Sequence, residues 1–565
     1  MKMMTIGHNL LIAATVLATV HTFVINPKQP LCTSEIYCSG EVLHTIQMAK
    51  IFNDSKTFVD MKLKKTPKET VQLFHEFMAQ HGDRPTRDDI IQFVSTNFEK
   101  RGTEFVDWVP DDWKESPKYM SKIKDANFRD FANELNKLWK ILGRKMKDDV
   151  ANNPDLYSII YVKNGVIVPG GRFLEFYYWD SYWIVRGLLH SEMYDTVKGM
   201  LRNFFSVIDR YGFIPNGGRI YYLIRSQPPM LASMVKSYVD FTNDVEFITE
   251  ALPRLEAEFD FFTNNRAHNV HGYELYAYGP KALNGPRPES YYEDYDLARR
   301  SFTTEDEKMQ FYSNMNAAAE SGFDFTARWF IKNGTNEGQL RDNNARSIVP
   351  VELNSMIYFN AKILADYHSK LGNDKIAAKY EYKSQKMLEA VEAVLWNEED
   401  GAWYDYDLLN QKHRSYYSST NLSPLMHGCY DIANKSAIAR KVLAYIDSNS
   451  LDAFPGGVPT TLMQTGEQWD YPNAWAPLQH WLGEGLRNLD DRNATDLANK
   501  WTNRWTLSNY IAYKETKAMF EKYSAETLGG HGNGGEYDVQ IGFGWTNGVI
   551  IEYLAKYGDN LTTFN

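Results

Sequence analysis

The sequence predicts an all-α fold: a toroid of antiparallel helix pairs that carries its functional loops at one end. Three observations predict it. Apolar residues recur at helical spacing in one segment after another. Strand-like alternation is scarce. Between the helical stretches lie loops rich in Gly, Pro, Trp and charged or amide groups, a pattern repeated about six times. A solenoid of helical repeats would need a fixed short sequence period, and none is present.

The elements justify that reading in chain order. Leu10–Val20 is an apolar run of eleven residues behind Lys2. It is too short to span a bilayer and suits the core of a secretory signal, read here as residues 1–22 with cleavage between Ala18 and Phe23. A single catalytic domain is expected over 23–565. Val197, Leu201, Phe204, Phe205 and Ile208 form one apolar helical stripe. Leu353–His368 carries another through Ile357, Ala361 and Leu364. Gly372 separates it from a helix expected over Lys375–Leu395. A last helix is expected over Trp545–Tyr557, stopped by Gly558. The intervening loops run over Pro169–Trp183, Ile214–Pro229, Gly285–Ser290, Glu320–Phe325, Glu467–Asn473 and Gly529–Trp545.

Composition narrows the function. In 565 residues, Lys and Arg total 61 against 72 Asp and Glu, a net charge of −11. That balance argues against a coat for nucleic acid or anionic lipid and leaves a neutral small molecule open. No later segment is apolar for long enough to anchor the chain in a membrane. Cys32 and Cys38 are placed to pair in an oxidising compartment, which leaves Cys429 free. N-glycosylation sequons at Asn53, Asn333, Asn434, Asn493 and Asn560 accord with secretion. A sixth, at Asn421, is followed by Pro424. No Cys/His spacing suggests a metal site, and the Gly529–Gly535 run lacks the Lys-Ser/Thr of a phosphate loop. No cofactor is expected.

The residue types in the loops point to a polyol. Arg172, Arg225 and Arg287 sit in Gly/Pro-rich segments rather than on helix faces, and each offers a planar fork of donors. Asn216, Gln227, Asp470 and Asn473 add partners for hydroxyls. Trp179, Trp469, Trp475 and Trp545 offer flat walls for sugar rings, or serve the core. Asp324, flanked by Phe323 and Phe325, sits where an apolar setting would keep a carboxyl protonated. It is equally read as the N-cap of a helix running through Ala327 and Trp329. Glu521 by itself reads as a solvated residue near a helix end. Two carboxyl groups in such a pocket point to glycoside hydrolysis.

Seven blocks then carry a resemblance. PGGRFLEFYYWDSYW (169–183) and QWDYPNAWAP (468–477) resemble the two signatures of the trehalases, and GGEYDVQIGFGWTNG (534–548) resembles their glycine-rich motif. IPNGGRIYYLIRSQPP, RPESYYED and ESGFDFTARW match too, as does Asp54–Met61 near the amino terminus. The resemblance implies an (α/α)6 barrel and hydrolysis of α,α-trehalose to two glucoses with inversion. It implies Asp324 as general acid and Glu521 as general base. It places Arg172, Trp179, Asp180, Asn216, Arg225, Ser226, Gln227, Arg287, Pro288, Glu289, Gly322, Trp469 and Glu536 around the substrate. His531 and Asn533 interrupt the family's glycine run, and Asp538-Val539 replaces its usual Pro-Leu. An inverting enzyme needs its carboxyl groups about 6.5–9.5 Å apart to seat a water. The alternatives are a trehalose-binding protein without turnover and another α/α-toroid glucosidase.

Overall fold

The computed structural model describes residues 32–280 and 285–564, so the signal segment lies outside the described residues. The chain is mostly helical. Its main helices are α1 (Ala126–Leu142), α2 (Asp180–His190), α3 (Tyr194–Tyr211), α4 (Leu231–Thr242), α5 (Val245–Asn265), α6 (Glu305–Glu320), α7 (Val351–Lys370), α8 (Asp374–Val394), α9 (Ser423–His427), α10 (Lys435–Ser448), α11 (Ala476–Arg487), α12 (Arg492–Thr516) and α13 (Gly544–Tyr557). The stripes expected around Val197, Leu353 and Lys375 and in the last helix became α3, α7, α8 and α13.

Two classes of helix are distinguishable from their faces. α3 buries Val197, Leu201, Phe204, Phe205 and Ile208 and turns its polar residues outward. α11 and α13 are buried on all sides, as helices enclosed by other elements must be. The enclosed helices contact one another in sequence: α2 packs on α4, α4 on α7, α7 on α9, α9 on α11, α11 on α13, and α13 returns to α2. Their partners lie alongside: α3 on α2, α5 on α4, α8 on α7, α12 on α11, and α1 on α13. Side-chain caps start several of these helices. Asp244 accepts from the Phe247 amide at α5, Asp491 caps α12, and Thr304 with Glu307 forms a capping box at α6.

The return contact between α13 and α2 needs close approach. A Cβ at Gly548 would lie 2.0 Å from the Trp183 carbonyl oxygen, and one at Gly187 would lie 2.6 Å from the Gly548 Cα. A buried charge reinforces the junction. Glu552 of α13 accepts from Arg186 of α2, which also donates to Ser237 of α4, and His480 of α11 faces the same carboxylate at 3.3 Å. Gly548→Ala is therefore expected to destabilise the protein by about 1–3 kcal/mol through overpacking. The check is a lowered thermal midpoint with an unchanged far-UV spectrum.

A smaller apolar cluster sits at the amino-terminal end. Ile36, Leu43, Phe58, Phe74 and Phe98 pack there against Tyr177, Tyr221 and Tyr222 of the loops around α2 and α4. Cys32 and Cys38 are joined as a disulfide, and Cys429 is free and buried. The sequon residues Asn53, Asn333, Asn434, Asn493 and Asn560 are exposed, whereas Asn421 is buried. No helix among the described residues is long and apolar enough to cross a membrane.

Two local expectations are corrected. Glu521 is not on a helix: α12 stops at Thr516, Lys517 takes a left-handed conformation (φ 59°), and Glu521 enters the short strand β2 (Lys522–Ser524). β2 pairs antiparallel with β1 (Asn473–Trp475), which places Lys522 opposite Trp475. Asp324 is not a helix cap either. Thr326 caps a single turn, Ala327–Trp329, through its bond from the Arg328 amide.

Candidate active site

The loops at one end of the enclosed helices converge on a cavity of about 600 Å³, counted to its open mouth. Helix α6 delivers Asp324. It ends at Glu320 with Ser321 as its cap, and Gly322 (φ 79°) turns the chain beneath Trp179, where a Cβ would lie 2.6 Å from the indole ring. Gly322 is thus required both by its backbone angle and by that contact. Asp324 lies between buried Phe323 and Phe325, and Gln468 donates to its carbonyl. Burial pushes its carboxyl up to about 7, with Arg287 pulling down and Glu536 pushing up.

Glu521 reaches the same cavity from β2, and it too is buried. Its amide donates to the Gln540 carbonyl (2.9 Å), and the Trp545 indole N–H donates to its carbonyl (3.0 Å). Tyr537 donates to Oε1 at 2.9 Å, while Oε2 has no protein partner. Burial raises its pKa, and Lys522, the Tyr537 hydrogen bond and Arg172 counter that. Lys522 is itself buried, held by its bond to the Gly534 carbonyl (2.7 Å), and burial depresses it to about 8. Burial, with the neighbouring carboxyl groups of Glu521 and Asp324, raises the carboxyl of Asp180, at the start of α2, above the ordinary aspartate range.

The arginines are held by buried carboxylates and amides. Arg225 donates to Asn216 (2.9 Å), Asn316 (3.0 Å) and Glu289 (2.5 Å). Arg287 is gripped by Asp294 and donates to Glu536 at 2.8 Å. Arg172 forms a bidentate pair with Asp54 (2.6 and 2.9 Å). Burial pushes the Glu289 carboxyl up, and Arg225 and Arg287 outweigh it, holding its pKa below the ordinary glutamate value. The aromatic wall is continuous: Trp469 stacks on Trp475 at 3.8 Å, and Trp179 packs edge-on against Phe323 and Trp545. Among the described residues, no group of His, Cys, Asp and Glu has the arrangement of a metal site.

Of the residues singled out in the sequence, Arg172, Trp179, Asp180, Asn216, Arg225, Gln227, Arg287, Glu289, Gly322, Asp324, Trp469, Trp475, Glu521, Glu536 and Trp545 line this cavity. Asp470 and Asn473 do not: Asp470 accepts from the Thr326 hydroxyl and the Ala327 amide, and Asn473 donates to the Asn533 carbonyl. Ser226 and Pro288 do not either. The Ser226 amide donates to Glu320 (2.8 Å) and its hydroxyl to the Ile214 carbonyl (2.6 Å). The Pro288 carbonyl accepts from Gln47 (2.9 Å). Both act on the shape of their loops rather than on the cavity surface.

The family profile described as Trehalase matches residues 50–558. The chain belongs to the trehalase family. It is 54% identical over 557 residues to the trehalase of Apis mellifera, a match covering 97% of this chain and 89% of that one. It is 44% identical to the trehalase of Homo sapiens, over 94% of this chain and 91% of the relative. Among solved structures, the neutral trehalase of Saccharomyces cerevisiae superposes with a TM-score of 0.56 at 26% identity, covering 69% of this chain and 73% of that one.

Several cavity residues of this trehalase-family enzyme escaped the sequence reading. Phe173, Tyr177, Tyr222, Ser290, Ala319, Tyr537 and Phe543 also line the site. Lys522 stands beside Glu521. Tyr537 follows Glu536 and Tyr177 lies two residues before Trp179, both within blocks that carry the resemblance. Nearness to those residues was the signal available for them.

Proposed function

We propose that the protein hydrolyses α,α-trehalose to two glucose molecules with inversion at one anomeric carbon, with Asp324 as general acid and Glu521 as general base. The observation that carries this is the pair of buried carboxyl groups on one cavity, in different electrostatic settings. Asp324, its pKa near 7, holds a proton to give to the bridging oxygen. Glu521 has a cation beside it and Oε2 free of protein partners. That oxygen can take a proton from water as the water attacks the anomeric carbon. The new C–O bond forms as the bond to the bridging oxygen breaks, and the leaving glucose keeps the proton of Asp324. Arg172, Arg225, Arg287, Asn216 and Gln227 supply donors for the hydroxyls, and Trp179 and Trp469 supply apolar walls.

The helix framework is read as an (α/α)6 toroid. Six enclosed helices in contact from α2 round to α13 and back support it, each with a neighbour alongside except where the short α9 intervenes. Secretion is proposed as well. It is supported by the apolar leader, by the Cys32–Cys38 disulfide and by exposed asparagines at all five sequons expected to be used.

The test is proton NMR of the protein mixed with trehalose, with maltose alongside. Equal α- and β-glucose before mutarotation, formed from trehalose only, is the expected result. All-α initial product would remove the inverting assignment, and intact trehalose would favour the binding-protein alternative.

A further inference from the structure

The amino-terminal block Asp54–Met61 contributes no wall to the catalytic cavity, yet it pairs with an arginine that does. Asp54 holds Arg172 through two hydrogen bonds, Nε to Oδ2 at 2.9 Å and Nη2 to Oδ1 at 2.6 Å. Arg172 is otherwise placed by its own backbone, whose amide donates to Gln540 (2.7 Å), and by the Tyr537 ring, 4.5 Å from its guanidinium carbon. No other carboxylate pairs with it among the described residues. A fork of donors this mobile has many rotamers, and a bidentate partner selects one.

Asp54 is itself held rigidly. The Lys56 amide donates to its Oδ1 at 2.9 Å. Lys56 is fully buried, with its ammonium 2.6 Å from Asp60 and 2.7 Å from Glu175, which lies three residues beyond Arg172. Glu175 in turn accepts from Tyr177, a cavity residue. Ser55 donates to Glu293 at 2.7 Å, and Gln47 bridges the Ser55 and Pro288 carbonyls. The block is thus tied to the Arg172 loop and, through Ser55 and Gln47, to the segment that follows Arg287. Burying Lys56 between two carboxylates is costly unless the geometry is kept, which makes the attachment rigid.

We propose that Asp54 is a positioning residue for trehalose hydrolysis: its carboxylate sets the Arg172 guanidinium in the orientation that meets the sugar, and the buried Lys56 anchor keeps Asp54 in place. The proposal rests on the placement of Arg172 as a substrate contact. Asp54 is one-third exposed, so its loss leaves no large cavity.

The experiment is a double-mutant cycle on trehalose turnover with Asp54→Asn, Arg172→Ala and the pair together, and with thermal midpoints measured throughout. The expected result is a loss of about 10- to 100-fold in kcat/KM for Asp54→Asn, little change in its thermal midpoint, and no further loss when it is added to Arg172→Ala. Asp54→Glu, which keeps the charge but moves it by one methylene, replaces Asp54→Asn in the cycle if that variant does not fold. Asp54→Asn within about twofold of the parent, with Arg172→Ala impaired, overturns the inference alone. An equal loss from Asp54→Asn in both backgrounds also overturns it, since that is the mark of a purely structural residue. Full activity in Arg172→Ala overturns the substrate contact and the inference with it.

Discussion

Replacing Asp324 by asparagine is expected to lower kcat/KM on trehalose by roughly 10²- to 10⁴-fold, the range for losing a general acid. The amide is nearly isosteric, so the Gln468 contact to the backbone carbonyl and the flanking Phe323 and Phe325 stay in place. Only the proton is lost. The loss should depend on the leaving group, because fluoride departs from a glucosyl fluoride without protonation. Asp324→Asn should therefore retain much of its activity on α-glucosyl fluoride while failing on trehalose. Equal impairment on both substrates would remove the acid role. The pH profile gives a second check. The parent must hold Asp324 protonated, so kcat/KM falls as pH rises through about 7, the range to which burial has moved this carboxyl. In Asp324→Asn that alkaline limb disappears.

Glu521→Gln is expected to lose about 10²- to 10⁴-fold as well, but on both substrates, because either reaction needs an activated water. The acidic limb of the parent profile belongs to this residue. Glu521 must be ionised, and activity falls as pH drops through a pKa that burial raises above the ordinary glutamate value. Lys522, the Tyr537 hydrogen bond and Arg172 limit that rise, and Asp180 and Asp324 face the same space. The profile is a bell bounded below by Glu521 and above by Asp324. A Glu521→Gln variant that hydrolyses glucosyl fluoride at the parent rate would show that another group activates the water.

Much of the helical framework was legible because it depends on local periodicity. The stripes of α3, α7 and α8 and the final α13 each stand out in a window of ten to twenty residues, since one buried face repeats every turn. Glu521 shows where this stops. Its window, Lys517–Tyr523, looks like the solvated end of a helix, yet the residue is buried beside β2. Its burial is caused by Gln540, Trp545 and Tyr537, which lie 16 to 24 residues further along the chain. Asp324 was ambiguous for a similar reason. An aspartate before a short helical turn is a natural cap, and only the placement of Thr326 shows that the cap is made by another residue.

By itself the sequence determined the helix-rich class, the loops that bear the chemistry, and, through ordered blocks, the trehalase family. These follow from residue type and short-range spacing, which survive without knowledge of contacts. The tertiary structure alone decided how those residues act on one another. It took Ser226 and Pro288 off the cavity wall and brought in Tyr177 and Tyr222. It buried the neighbouring pair Glu521 and Lys522, and it joined Asp54 to Arg172 across 118 residues. Charges and hydrogen bonds depend on distance through space and on exclusion of water. Those conditions arise only when segments remote in sequence close over the same cavity.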